Sequence, residues 1–358
     1  MKILFDHQIF LAQKYGGISR YFVELVKKFD SLNQKYSLPV YYSNNVYLED
    51  IKKIKPFQEN KFSKKLFSYM GRLIMKKYIK ENSFDIFHPT YYDPYFLKSL
   101  QKPYVLTIYD FMHEKFKDMF SSKDMNIAWK KECAMKADRI IAISENTKQD
   151  IIKYYGISAD KIDVVYLSSS LKIINEDLEL SLPEKYILFV GNRSRYKNFN
   201  AFIKAVAPLL YEENELNVIC AGGGAFSKDE EMNLKELGIM EKVKYFNIDD
   251  KILANLYQKA ICFVFPSLYE GFGIPVLEAF NCGCPVALSN QGSLPEVGGD
   301  AVEYFDPNSL ESILRAVKSL YYDNSRREEL KQLGTIQAKK FSWEKTAQQT
   351  IAVYNKLL

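Results

Sequence analysis

A chain of 358 residues favours two domains over one. With 47% hydrophobic and 26% charged residues, its composition is that of a folded globular protein and excludes a disordered or fibrous one. The net charge is +5, yet residues 51–80 hold ten Lys or Arg against the single acid Glu59, so the rest of the chain is acidic. No helix-turn-helix, zinc-finger or RNP-like aromatic motif accompanies that charge, which argues against a nucleic-acid partner. The five cysteines, Cys133, Cys220, Cys262, Cys282 and Cys284, are odd in number and mostly sit in or beside apolar runs. They read as buried free thiols of a reducing compartment. Cys282-Gly283-Cys284 has no second pair or nearby histidine and is set aside as a metal site. The start, Met1-Lys2-Ile3-Leu4-Phe5-Asp6, lacks the apolar core of a signal peptide, and no 18-residue apolar run occurs. A cytoplasmic protein with no bilayer-spanning segment is expected.

In chain order, Lys2–Phe5 reads as a strand, and Tyr15-Gly16-Gly17-Ile18-Ser19-Arg20 opens a helix that runs through Phe29. Strands follow at Leu38–Tyr42, Ile86–His88, Tyr104–Ile108, Arg139–Ile143 and Ile162–Val165, alternating with helices near 64–81, 121–137 and 145–155. In the basic segment, Phe62, Leu66, Phe67, Met70, Leu73, Ile74 and Tyr78 recur among the lysines. That spacing predicts a helix with one apolar stripe and one cationic face. The stripe either packs on the domain or meets an anionic membrane surface, with Phe62, Leu66, Phe67, Leu73 and Ile74 toward lipid. Residues 168–185 break the alternation and read as a linker. The rhythm restarts with strands at Tyr186–Val190, Asn217–Ala221, Val243–Phe246, Ile261–Phe265 and Pro285–Leu288 and helices near 197–213, 230–237, 250–259 and 274–282. A final helix, 343–356, follows Ser342 as its N-cap. The alternation predicts two Rossmann-like α/β domains, residues 1–170 and 183–342, with parallel sheets covered on both faces and a cleft between the domains.

The stretch Pro266-Ser267-Leu268-Tyr269-Glu270-Gly271-Phe272-Gly273-Ile274-Pro275-Val276-Leu277-Glu278 carries the most chemistry. A strand runs into a glycine loop with a carboxylate at its mouth, and a second carboxylate follows on a helix. In open α/β sheets ligands bind at this edge. Two glutamates suit the hydroxyls of a polyol, and a helix N-terminus suits an anion; a sugar joined to a diphosphate offers both. Val190-Gly191-Asn192-Arg193-Ser194-Arg195-Tyr196-Lys197 places three cations after another strand, suited to neutralising a diphosphate, with Lys197 the best placed. Gly16-Gly17 and Gly222-Gly223-Gly224 allow close backbone approach to phosphate. Asp249-Asp250 reads as a helix start, so no acidic pair is available to carry a divalent ion. The matching chemistry is glycosyl transfer, in which cations and amide dipoles stabilise the departing diphosphate in place of a metal.

These residues resemble a known group. Tyr15-Gly-Gly-Ile-Ser-Arg-Tyr, Gly191…Lys197-Asn198, Ala221-Gly-Gly-Gly, the Pro266–Ala279 element and Gly283-Cys-Pro-Val…Ser293-Leu-Pro-Glu-Val-Gly-Gly-Asp-Ala are similar to motifs of retaining GT-B fold glycosyltransferases of family 4, over essentially the whole chain. The resemblance implies a metal-independent hexosyltransferase of surface-polysaccharide or lipopolysaccharide assembly, such as O-antigen or capsule, that needs no cofactor. Its N-terminal domain would bind the acceptor, and its C-terminal domain the nucleotide sugar. Glu270 would contact the donor sugar and Glu278 the ribose. Gly271, Phe272 and Gly273 would hold the diphosphate with Lys197 and Arg193, and Gly222 and Gly223 would approach the nucleotide. Gly16 and Gly17 would close from the first domain, and the helix over 343–358 would cross back onto it.

Two departures stand out. Tyr109 occupies the position where relatives carry a histidine before Asp110, and Asn192 rather than arginine follows Gly191. Tyr109 and Asp110 are candidate sugar contacts; His113 is either an acceptor contact or a structural cap. GDP-mannose is the favoured donor, with UDP-hexose or UDP-N-acetylhexosamine as alternatives and a lipid-linked saccharide as acceptor. The protein would then sit peripherally at the inner face of the cytoplasmic membrane through residues 51–80. A nucleotide-sugar 2-epimerase of the same shape and a non-catalytic carbohydrate-binding protein are the other readings.

Overall fold

The structure, a computed structural model, describes residues 1–121, 124–176 and 178–358. The chain divides into two compact units, Met1–Leu167 together with Ser342–Leu358, and Ser168–Phe341.

The first unit runs β1 (Lys2–Phe5), α1 (Gln8–Ala12), α2 (Gly17–Ser31), β2 (Lys35–Ser37), α3 (Lys61–Glu81), β3 (Ile86–His88), β4 (Val105–Ile108), α4 (Met112–Lys115), α5 (Asn126–Lys136), β5 (Arg139–Ala142), α6 (Glu145–Tyr155) and β6 (Ile162–Val164). All its strands pair in parallel, in the orders β2-β1-β3 and β4-β5-β6. A parallel bridge between Phe87 and Tyr104 joins the two halves. Helices cover both faces, which is why Ile3, Leu4, Phe5 and Val105, Leu106 can be continuous apolar runs that are fully buried. Ser144 caps α6 by accepting from Thr147 N.

Two elements depart from the sequence expectation. The strand expected at Leu38–Tyr42 lies earlier, at β2, because Pro39 has no N–H to offer a ladder; Tyr42 keeps an isolated bridge to Lys55. The helix expected over 121–137 begins at Asn126, where the Asp124 carboxylate accepts from Asn126 N at 2.8 Å; residues 122 and 123 of that span lie outside the described residues.

Helix α3 carries two apolar stripes rather than one. Gly71, Met75 and Ile79 are buried in the unit, and Phe67 packs on Tyr42 and Phe57 with centroids at 4.8 and 4.4 Å. Ile74 is half-buried beside it. Phe67 and Ile74 therefore do not belong to the outward set. That set is Phe62, Leu66, Tyr69 and Leu73, at spacings of four, three and four, which are 77, 43, 60 and 47% exposed.

The second unit runs β7 (Lys185–Val190), α7 (Phe199–Glu212), β8 (Leu216–Ala221), α8 (Lys228–Glu236), β9 (Val243–Phe246), α9 (Asp250–Lys259), β10 (Cys262–Phe265), α10 (Ile274–Asn281), β11 (Val286–Ser289), α11 (Leu294–Gly298), β12 (Glu303–Phe305), α12 (Leu310–Tyr322) and α13 (Asn324–Ala338). Its six parallel strands follow the order β12-β11-β10-β7-β8-β9. This is the doubly wound order, and its reversal falls between β7 and β10. The core packs α7 and α12 on the sheet through Phe199, Phe202, Val206, Ile313 and Val317. Leu171 and Ile174, expected in the linker, are tied to this unit: Asn281 Nδ2 donates to Leu171 O, and Gln258 exchanges two hydrogen bonds with the Ile174 backbone.

The last helix, α14 (Trp343–Asn355), belongs to the first unit. Tyr354 OH lies 2.6 Å from His88 Nδ1, and Thr346 Oγ1 donates to Tyr166 O at 2.7 Å. Thr107 Oγ1 lies 2.8 Å from His88 Nε2, so both ring nitrogens are engaged. Burial pushes the His88 imidazole down to about 3, and the ring is neutral.

Candidate active site

The strand reversal in the second unit decides which loops meet. The loop after β7 delivers Lys197, and the loop after β10 delivers Glu270; Lys197 Nζ and Glu270 Oε1 pair at 2.7 Å, each side chain about seven-eighths covered. The backbone joins the same loops, with Leu268 N donating to Tyr196 O at 2.8 Å. Glu270 and Lys197, 73 residues apart in sequence, are neighbours because β7 and β10 are adjacent strands.

The Pro266–Ala279 element is held from behind. Ser293 Oγ lies 2.9 Å from both Glu270 O and Phe272 O, fixing the loop on both sides of Gly271. Gly273 has φ +119° and opens α10. A Cβ there would stand 3.0 Å from Leu294 Cδ2, so both conformation and space call for glycine. Pro275 occupies the first turn, where its missing N–H costs nothing. Gly271, Phe272 and Gly273 thus lead directly into the helix end whose amides lack intrahelical partners. Glu278, on the next turn, is buried. Tyr257 OH is within reach of Glu278 Oε2 at 3.4 Å and Pro275 O at 3.2 Å, and burial beside that carboxylate pushes the phenol well above its ordinary value. Tyr257 is therefore a permanent donor beside Glu278.

Arg193 follows β7 but turns away from Lys197. Its guanidinium pairs with Glu230 at 2.9 Å and donates to carbonyls of the loop after β8, with only 3% of the side chain exposed. Gly222 and Gly223 lie in that loop, both at positive φ.

The remaining candidates lie in the first unit. Gly16 and Gly17 start α2, where Gln13 Oε1 accepts from Ser19 N and Ser19 Oγ donates to Gly16 O. Tyr109 is buried, with its hydroxyl donating to Thr90 O at 3.4 Å and its ring 6.2 Å from Tyr21. Asp110 accepts from Met112 N at 2.9 Å at the start of α4. His113 stacks on Phe120 with centroids 3.9 Å apart, and its Nε2 lies 3.4 Å from Asp124. All five cysteines are free and buried, and burial raises the Cys282 thiol to about 12. Among the described residues no group of three or more His, Cys, Asp or Glu side chains is gathered to hold a metal ion. Ser293, whose hydroxyl organises the glutamate loop, escaped the residue-by-residue reading; its Ser293-Leu-Pro-Glu setting was the available signal.

The family model described as glycosyl transferases group 1 matches residues 172–337, and that described as glycosyltransferase family 4 matches residues 15–168. A crystal structure of HepE from Anabaena in complex with UDP-glucose superposes with a TM-score of 0.78 over 100% of both chains, at 17% identity. This chain belongs to the GT-B glycosyltransferases. The O-antigen chain mannosyltransferase B of Escherichia coli is 29% identical to this glycosyltransferase over 100% of both chains. The serotype-specific mannosyltransferase WbdA of Escherichia coli is 33% identical over 62% of the glycosyltransferase, which spans only 29% of WbdA. The fold is that of the GT-B group, two Rossmann-like α/β units.

Proposed function

We propose that the protein transfers a hexose from a nucleoside-diphosphate sugar to a lipid-linked saccharide during synthesis of a surface polysaccharide. Mannose from GDP-mannose is the favoured donor, and the anomeric configuration is retained. The observation that carries this reading is the meeting of Lys197 and Glu270 at the strand reversal of the second unit, with Glu278 buried on α10, the helix that follows. That unit is the donor domain, and the first unit the acceptor domain. The mannosyltransferase names of the O-antigen chain enzyme and of WbdA support the choice of sugar.

The chemistry follows from the charges. A diphosphate at the loops after β7 and β10 competes with Glu270 for the Lys197 ammonium. Engagement of the diphosphate by Lys197 leaves the Glu270 carboxylate to accept from sugar hydroxyls. Glu278, oriented by Tyr257, accepts from the ribose. As the bond from the anomeric carbon to the diphosphate oxygen breaks, negative charge grows on that oxygen, and the ammonium and the α10 amides are fixed to meet it. No divalent metal is needed for that step. A panel of nucleotide sugars tests the reading. GDP-mannose is expected to bind and to be slowly hydrolysed without acceptor, in chelator as well as without it. Preference for a UDP-sugar would replace the donor, and strict metal dependence would overturn the role of Lys197.

The acceptor's lipid places the enzyme at a membrane, although among the described residues no helix is long and apolar enough to cross one. The outward stripe of α3, Phe62, Leu66, Tyr69 and Leu73, is flanked by the exposed Lys61, Lys65, Lys76, Lys77 and Lys80. An apolar stripe within a cationic border fits the surface of an anionic bilayer, where each engaged lysine contributes about 1 kcal/mol. Sedimentation with anionic and neutral vesicles is the check. Replacing these lysines with glutamine is expected to abolish the preference for anionic vesicles, and an unchanged preference would rule this surface out.

A further inference from the structure

The loop after β8 has an unusual backbone. Gly222, Gly223 and Gly224 have φ of +81°, +75° and +75°, a run of left-handed residues that only glycine adopts readily. Their carbonyls gather around the Arg193 guanidinium. Arg193 Nη1 donates to Gly222 O at 3.2 Å, and Nη2 donates to Gly224 O and Ala225 O, both at 2.9 Å. Arg193 Nε donates to Glu230 Oε1 at 2.9 Å. The other Glu230 oxygen accepts from Ser227 N at 2.7 Å in the capping box that starts α8. The Phe226 ring lies 4.8 Å from the guanidinium carbon, and a Cβ on Gly223 would stand 3.0 Å from Nη1 and 2.9 Å from Gly191 O.

A guanidinium has five N–H donors, and these contacts use four. A side chain so covered has little left to offer a diphosphate. Its fork does have what the loop needs: several donors in one plane, aimed at carbonyls that would otherwise crowd one another. A lysine has the charge but not that plane.

We propose that Arg193 is a positioning residue of the donor site rather than a ligand of the diphosphate. It folds the Gly222–Ala225 loop against the loop that carries Lys197 and fixes where α8 begins, and so shapes the wall at the carboxyl ends of β7 and β8. This rests on the reading of the second unit as donor domain. A positioning role loosens the loop backbone along with donor binding, whereas a direct phosphate contact weakens binding or turnover without moving the loop.

The experiment compares R193K and E230Q with wild type by steady-state kinetics in GDP-mannose, by calorimetric titration of GDP and UDP, and by amide hydrogen exchange over residues 222–226. R193K is expected to raise the donor KM roughly tenfold, with kcat changed by less than about threefold, and to speed exchange across the loop. E230Q keeps the arginine but removes its carboxylate anchor, and is expected to move the same quantities in the same direction by less. Near-wild-type KM and loop exchange in R193K, or a loss confined to kcat, would mean that the arginine serves as a charge at the phosphate, and would overturn the proposal. If R193K does not fold, E230Q decides alone: unchanged exchange over 222–226 overturns the proposal. A wild type that binds neither GDP nor UDP overturns the donor-domain reading, while the exchange result still reports whether Arg193 orders the loop.

Discussion

Each unit has its own parallel strands with one reversal of strand order, and the two units treat the reversal differently. In the first unit it falls between β1 and β3, and Asp6 sits at that point with none of its surface exposed. One Asp6 oxygen accepts from Thr90 N at 2.9 Å and Thr90 Oγ1 at 2.6 Å, and the other from Gln8 Nε2 at 2.8 Å and Tyr95 OH at 3.0 Å. The crevice is sealed by the protein's own donors. In the second unit the same topological place holds Lys197 and Glu270, which retain 13 and 14% of their exposure. Strand order locates a crevice in both units, and the side chains decide whether it becomes a structural seal or a site.

Exchanging the two roles in thought gives the sharpest tests. The largest effect is expected in the first unit. Asp6→Ala leaves several buried donors without an acceptor and is expected to cost about 3 kcal/mol of stability, measured by urea unfolding, with donor affinity unchanged. A loss of donor binding at equal stability would show that the first crevice is not merely a seal. Lys197→Ala is expected to do the reverse: turnover falls by roughly 10²-fold, about 2.7 kcal/mol, while the urea midpoint moves little. A stability loss as large as that of Asp6→Ala would make Lys197 structural. Glu278→Gln keeps the shape beside Tyr257 and removes the charge; calorimetry is expected to show donor affinity weakened about tenfold, and undiminished affinity would end its ribose role.

The smallest effect at neutral pH comes from the buried histidines of the first unit. His88 is held down to about 3 by burial, and His7 is lowered for the same reason. Between about pH 6.5 and pH 3 the unfolded chain binds a proton at His88 that the folded unit refuses. Stability therefore falls as pH drops through that window and is indifferent to His88 above it. Urea midpoints at pH 7 and pH 5 are expected to differ, and the difference is expected to shrink in His88→Gln. An identical difference in the variant would assign the acid sensitivity to other groups.

The βα alternation and the spacing of Glu270 and Glu278 were open to a reader of the sequence, because both depend on local pattern. The helices α12 and α13 and the strand β12 were not anticipated, although Ile313, Ala316, Val317 and Leu320 behind Ser309 have helical spacing. The two stripes of α3 looked like one, since interleaved spacings of three and four cannot be separated until a neighbour such as Tyr42 claims one of them. The sequence placed Arg193 among three cations but not its partners: two glycine carbonyls, an alanine carbonyl and a carboxylate 37 residues on become visible only when the loop is folded. Pro39, which displaced a strand, was readable and outweighed by its apolar neighbours.

The return of α14 to the first unit has a consequence for the order in which the molecule is made. The ribosome releases Met1–Leu167 first, but that unit is complete only once Ser342–Leu358 has emerged, because His88 waits for Tyr354 and Tyr166 for Thr346. Ser168–Phe341 has all its strands in hand before then. The half synthesised second is thus the one that can finish folding first, and the nascent first half is exposed to chaperones and proteases until the final turns of helix close it.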